Sequence, residues 1–358
     1  MMVEKLNSLT EIRGILDGMK GHNYALPDCI KFIMEHIGVH DLLDFWNIAA
    51  VTGDTVAQIY NHNVTTSCEY CVSGYLAGPD YITYIFNTLG YDCEYASAAQ
   101  IAADISLYST KIEDYIDKNI PILVKTNLND IDAWKSDVGT YCLVVGYEDG
   151  GKTLKLLTGG TDIIDYKLSI ENKLDFIFIG KRQRNVSLEE IYICVLKKMP
   201  HWLTLPKHSG MCFGSEAYKT WADDIESGRF EDENLPLWEN YGVYVCNLAT
   251  NGGEPTYIYK KLANLNHVYS EIAIIGERIQ KLLPAESPTG GRSLLWVKLE
   301  ELNAGMDMEA VRITMRDKKK RSEVADVLRD YAKRLDQALE IMREGNNIIN
   351  KINYNITN

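Results

Sequence analysis

The hydrophobic pattern changes period at one place, the stretch KRQRNVS at residues 181–187, and that change bounds the fold more tightly than any single motif. Upstream, helix and strand patterns mix. PILVKTN (121–127), TYCLVVGYE (140–148), TLKLLTG (153–159) and DFIFIG (175–180) are short runs rich in β-branched and aromatic residues, and EDGGK between the second and third reads as a hairpin turn. PDCIKFIMEHIG (27–38) places Ile30, Ile33, Met34 and Ile37 at i, i+3, i+4 and i+7, and Gly38 ends the run, which predicts a helix. DYITYIFNTLG (80–90) predicts a second helix with its own terminal glycine, and KIEDYIDKNI (111–120) a third. Downstream, Ser187 and Glu190 have the spacing of a capping box opening a helix through Met199. Ala217, Tyr218, Trp221, Ala222 and Ile225 make one apolar helical face, and Val324, Val327, Leu328, Tyr331, Leu335, Ala338, Leu339 and Met342 a long one. YGVYVCNLA (241–249) reads as a strand or a buried segment within this helical half. The expectation is α+β: a mixed domain over residues 1–186, then a mainly α-helical domain over 187–358.

Charge and targeting narrow the function classes. The formal net charge of −13 argues against non-specific binding to nucleic acid or to an anionic membrane and is compatible with a cationic substrate. The basic run RDKKKR (316–321) sits in an acidic chain and reads as a solvated connector. No apolar run reaches the length of a membrane span. MMVEKLNSLTEIRGIL has no apolar core followed by a small-residue cleavage site, so a cytoplasmic protein is expected, with its eight cysteines reduced.

Cys29, at the head of the first predicted helix, is the candidate nucleophile. A helix N-terminus carries roughly +0.5 of an elementary charge, which stabilises a thiolate, and its free N–H groups can hold an oxyanion. A cysteine-headed helix followed by a sheet with a VVGY strand resembles the layout of papain-like cysteine enzymes. More closely, DCIKFIMEHIG, FWNIAAVTGDTVAQIYNHN, LGYDCEY and TYCLVVGYEDGGKTLKLLTGG together resemble the family of the butirosin biosynthesis protein H N-terminal domain. GSEAYKTWADDI and WVKLEELNAG…ADVLRDYAKRLDQALEIM are similar to the helical region that often follows it. The resemblance implies a papain-like domain related to bacteriocin-processing cysteine peptidases. It also implies acyl transfer from a carrier protein to an amine, or hydrolysis of a peptide or amide, with no cofactor or metal.

The chain departs from that pattern in its other catalytic parts. The histidine expected six residues before Gly146 is Thr140, which cannot act as general base, and LLTGGTD leaves Asp162 displaced from the usual orienting position. Asp28, read as an N-cap, sets a negative charge against the thiolate. His36 lies too far along the same helix, so His22 in GHNYALPDC and His62 in IYNHN are the first candidates for a substitute base, ahead of His201 and His208. Other constellations read as structural. Cys68 and Cys71 have CxxC spacing without a second pair, His36 and His40 are separated by Gly38, and Asp223 with Asp224 read as a solvated helix face. Aromatics mixed with small and polar residues, as in LWENYGVYV, suit a pocket for an organic ligand.

Two functions follow. One is a cysteine-dependent acyltransferase or amide hydrolase acting on a small molecule or peptide, with Cys29 as nucleophile and His22 or His62 as base. The other is an inactive member of the same fold that binds a small ligand or partner. They separate on one feature: an active Cys29 requires an open cleft and a histidine nitrogen within reach of its sulfur.

Overall fold

The computed structural model describes residues 7–15, 24–39, 44–63, 71–76, 78–127, 139–158, 162–208, 210–250, 254–265, 269–284 and 293–357. In chain order the elements begin α1 (Ala25–His36), α2 (Phe45–Thr52), β1 (Ile59–Asn61), α3 (Val72–Leu76), α4 (Pro79–Thr88) and β2 (Tyr91–Ala96). They continue with α5 (Ala98–Ala103), α6 (Ile105–Asp117), β3 (Ile122–Asn127), β4 (Gly139–Glu148), β5 (Thr153–Thr158), β6 (Asp162–Lys167) and β7 (Asp175–Arg182). The remainder is α7 (Leu188–Trp202), β8 (Met211–Phe213), α8 (Ser215–Glu226), α9 (Glu254–Ala263), α10 (Ser270–Leu282), α11 (Leu294–Glu301), α12 (Met308–Arg316) and α13 (Lys318–Thr357). The architecture is α+β, with an antiparallel sheet and a helical C-terminal region.

The chain divides into two units, Met1–Thr52 with Ser73–Ser187, and Gly53–Val72 with Leu188–Asn358.

The first unit is built on a six-stranded antiparallel sheet in the order β2-β7-β3-β4-β5-β6. The four strand runs read from the sequence are its four interior strands. Tyr141 to Tyr147 of β4 are buried without alternation, so both faces of the sheet are covered at its centre. α1 packs against β3 and β4, α6 against the same two strands, and α4 against β2. The pairing of β4 with β5 shifts between Val144 and Gly146, and there the N-terminal segment attaches, with Leu9 N–H donating to the Val145 carbonyl and Tyr147 N–H to that of Asn7.

In the second unit α13 packs along α8, α10 and α7. Its buried residues Val324, Leu328, Tyr331, Leu335, Ala338 and Met342 belong to the expected apolar face, as do all five named residues of α8. The segment read as a strand or buried run is buried but helical: it forms π-helical turns over Trp238–Gly242 and Val245–Thr250. β1 and β8 form a separate two-stranded ribbon with Tyr60 opposite Cys212.

Candidate functional site

α1 begins at Ala25 with Tyr24 as its N-cap, four residues ahead of Cys29. This corrects the placement of Cys29 at the helix head and of Asp28 as the cap. Only the first few N–H groups of a helix lack an intrahelical partner. The Asp28 N–H already donates to the Tyr24 carbonyl, and Cys29 lies one residue deeper. Its N–H belongs to the helical ladder, and the helix-end charge, which acts within the first turn, is weakened at its thiol.

The Cys29 thiol is fully buried. Burial pushes its pKa well above the ordinary value, the Cys142 thiol and the Asp28 carboxylate add to the rise, and Arg13 opposes it. Cys142 lies on β4, against which α1 packs, and burial pushes it up to about 12. Both thiols sit in an apolar setting that favours the protonated form.

His22, Cys68 and His40 lie outside the described residues. Thr140 is in β4 opposite Thr126, as its place in the VVGY strand requires. Asp162 opens the edge strand β6. His36 is engaged at both ring nitrogens, 2.9 Å from the Phe32 carbonyl oxygen and 3.0 Å from that of Glu11. His201 is exposed at the C-terminal end of α7, its pKa lowered by partial burial and by Lys198.

His62 belongs to the second unit, directly after β1, where its N–H donates to the Gly210 carbonyl. Its Nδ1 is 2.8 Å from both carboxylate oxygens of Asp224 on α8. The same carboxylate accepts from the Tyr60 hydroxyl at 2.5 Å and from Arg229 Nη1 at 3.0 Å. Arg229 Nη1 also lies 2.9 Å from His62 Nδ1, so that ring nitrogen faces both the carboxylate and a guanidinium donor. No described residue occupies Nε2, and half of the His62 side chain is exposed, whereas the Asp224 side chain is 9% exposed. Burial, reinforced by the Asp224 carboxylate, raises the Tyr60 pKa well above its usual value, so the phenol stays a donor.

This corrects the reading of Asp223 and Asp224 as a solvated pair. Asp223 is exposed and bonds Arg329, but Asp224 is buried. The signal was present: Asp224 lies seven residues after Ala217 and three after Trp221, on the apolar face of α8. A carboxylate on such a face needs partners, and β1 with its following turn supplies two of them.

A scan against protein-family models finds no match to this chain, and a search of the curated proteins finds none either. Among the described residues no helix is long and apolar enough to cross a membrane.

Proposed function

We propose that the first unit is a papain-like domain, akin to the butirosin biosynthesis protein H N-terminal family, in which Cys29 has become a packing residue. On this reading the chain is a cytoplasmic protein that binds a small ligand or a partner instead of turning over an acyl-cysteine. The observation that carries it is the burial of Cys29 one turn inside α1, beside Asp28 and Cys142. A nucleophilic cysteine needs the opposite surroundings, electropositive and open to substrate. The test is alkylation of the full chain from pH 5 to 9, with Cys29→Ala as background. The expected outcome is no Cys29-dependent reaction in the native protein and full reaction after unfolding. A fast Cys29-dependent reaction with an apparent pKa below that of free cysteine overturns the reading.

One observation favours a second reading, the acyltransferase or amide hydrolase acting on a small molecule, a peptide or an acyl-carrier protein. His62 is held by a buried carboxylate with Nε2 open, the posture of a general base oriented by its partner. In this reading Nε2 takes the proton of an attacking nucleophile and returns it to the leaving group. Hydrolysis of aryl-ester and thioester substrates measures it. The reading requires turnover that falls by about 10²-fold or more in His62→Gln. Turnover that is absent, or equal in the variant, removes it.

A further inference from the structure

The sheet of the first unit ends at β2 on one side and at β6 on the other. An edge strand presents unpaired backbone groups, which chains commonly blunt with a bulge or a proline. β2 has such a device, a register shift against β7 between Tyr91 and Cys93. β6 has neither bulge nor proline. It pairs with β5 in unbroken register, from Asp162 opposite Thr158 to Lys167 opposite Thr153.

That register fixes which backbone groups are open. The Leu168 N–H donates to the Lys152 carbonyl, one step beyond the pair of Lys167 with Thr153. Bonded and non-bonded pairs alternate along an antiparallel ladder. Ile164, Tyr166 and Leu168 therefore turn their N–H and C=O groups toward β5, and Ile163, Asp165 and Lys167 turn theirs outward. The same three outward residues have exposed side chains, whereas Ile164 and Tyr166 are half-buried and Leu168 is buried on the other face.

A row of charges crosses the exposed face and stops at this edge. Lys155 of β5 lies 2.8 Å from Glu148 of β4 and 2.8 Å from Asp165. The row reads negative, positive, negative, and a strand added outside β6 would continue it with a cation. β6 itself carries that cation at Lys167, which makes no ion pair among the described residues. A second copy related by a two-fold axis normal to the sheet runs antiparallel and sets residues of the same face opposite each other. With the axis at Tyr166, Asp165 of each copy faces Lys167 of the other, and these are the residues whose backbone groups point outward. Ile164 then faces Leu168. An axis at Asp165 or Lys167 opposes like charges, and one at Ile164 leaves each Asp165 opposite Ile163.

We propose that β6 is a docking edge for a second copy of this chain, whose own β6 pairs antiparallel about Tyr166 and joins the two sheets into one. The proposal goes beyond the reading of Cys29 and does not depend on it.

The test is sedimentation velocity of the full chain over a concentration series. A reversible dimer with a Kd on the order of 10 µM is expected, since one strand pairing lies at the small end of specific interfaces. Asp165→Lys and Lys167→Asp each place two like-charged pairs in the interface and should each weaken dimerisation about tenfold or more. Mixing the two variants restores opposite charges at both pairs, so the mixture should form a heterodimer and recover most of the lost affinity. Hydrogen exchange at the Ile163, Asp165 and Lys167 amides should slow as the dimer fills, because those N–H groups gain acceptors. A chain that stays monomeric at the highest soluble concentration overturns the proposal. So does a dimer indifferent to both variants, a mixture of the two folded variants that stays monomeric, or a dimer that leaves exchange at those three amides unchanged.

Discussion

Asp224 concentrates the residue-scale chemistry of the second unit, because one carboxylate satisfies a phenol, a guanidinium and an imidazole at once. Asp224→Asn keeps the shape and removes the charge. It is expected to destabilise the folded chain by about 1–3 kcal/mol, the cost of leaving buried and half-buried donors imperfectly matched. Tyr60→Phe should cost about 1 kcal/mol, and the double variant less than the sum, since the two side chains share one bond. Urea denaturation of the four proteins measures all three values, and strict additivity would show that the carboxylate and the phenol act separately. The aspartate could be read as inward-facing from helical spacing alone. Its partners could not, because Tyr60 and His62 lie 164 and 162 residues away in the chain. The same limit applied at Cys29. Its place in an apolar helix was legible, but the start of the helix four residues earlier depended on Tyr24, and no strong side-chain cap marks that position.

At the scale of elements, the two glycines read as helix ends are in the left-handed region, Gly38 at φ +84° and Gly90 at φ +87°. Each follows a C-cap residue whose N–H closes the last turn, which is the position where glycine is favoured. The two differ in surroundings. A Cβ on Gly38 meets nothing within 4 Å, whereas one on Gly90 would lie 2.5 Å from the Arg184 carbonyl oxygen and 2.7 Å from Val186. Gly38→Ala should therefore cost about 1 kcal/mol, from backbone conformation alone. Gly90→Ala should cost clearly more, because the backbone around Arg184 must also shift. Equal losses in thermal or urea unfolding would show that the 184–186 segment yields freely. Strands followed a parallel rule. The interior strands β3, β4, β5 and β7 announce themselves as apolar runs. The edge strands β2 and β6 alternate with exposed polar residues, and only their pairing partners make them visible.

Across the whole molecule, the buried acids set the response to alkali. Burial is the largest cause raising Cys29, Cys142, Tyr60, Tyr218, Tyr241, Tyr259 and Tyr331 above their ordinary values. Each stays protonated to a higher pH in the folded chain than in the unfolded one. Their stabilising contribution is complete below the ordinary value of 9.0 for thiols and 10.0 for phenols. Above those values the unfolded state loses protons first, and stability falls as pH rises toward the raised folded values. The net charge of −13 at pH 7 adds self-repulsion in the same direction. The urea midpoint should hold between pH 7 and 8 and decline steadily above about 9. A midpoint unchanged at pH 10.5 would contradict the burial of these groups. Residue periodicity alone carried the α+β class, the four interior strands and the apolar faces of α1, α8 and α13. Period tells each side chain which way to point, and burial follows from that. The enclosure of Cys29 and the meeting of His62 with Asp224 came from packing between distant segments. Those outcomes depend on which faces dock, and a contact between distant residues is chosen by the combined packing of whole elements instead of by any local pattern.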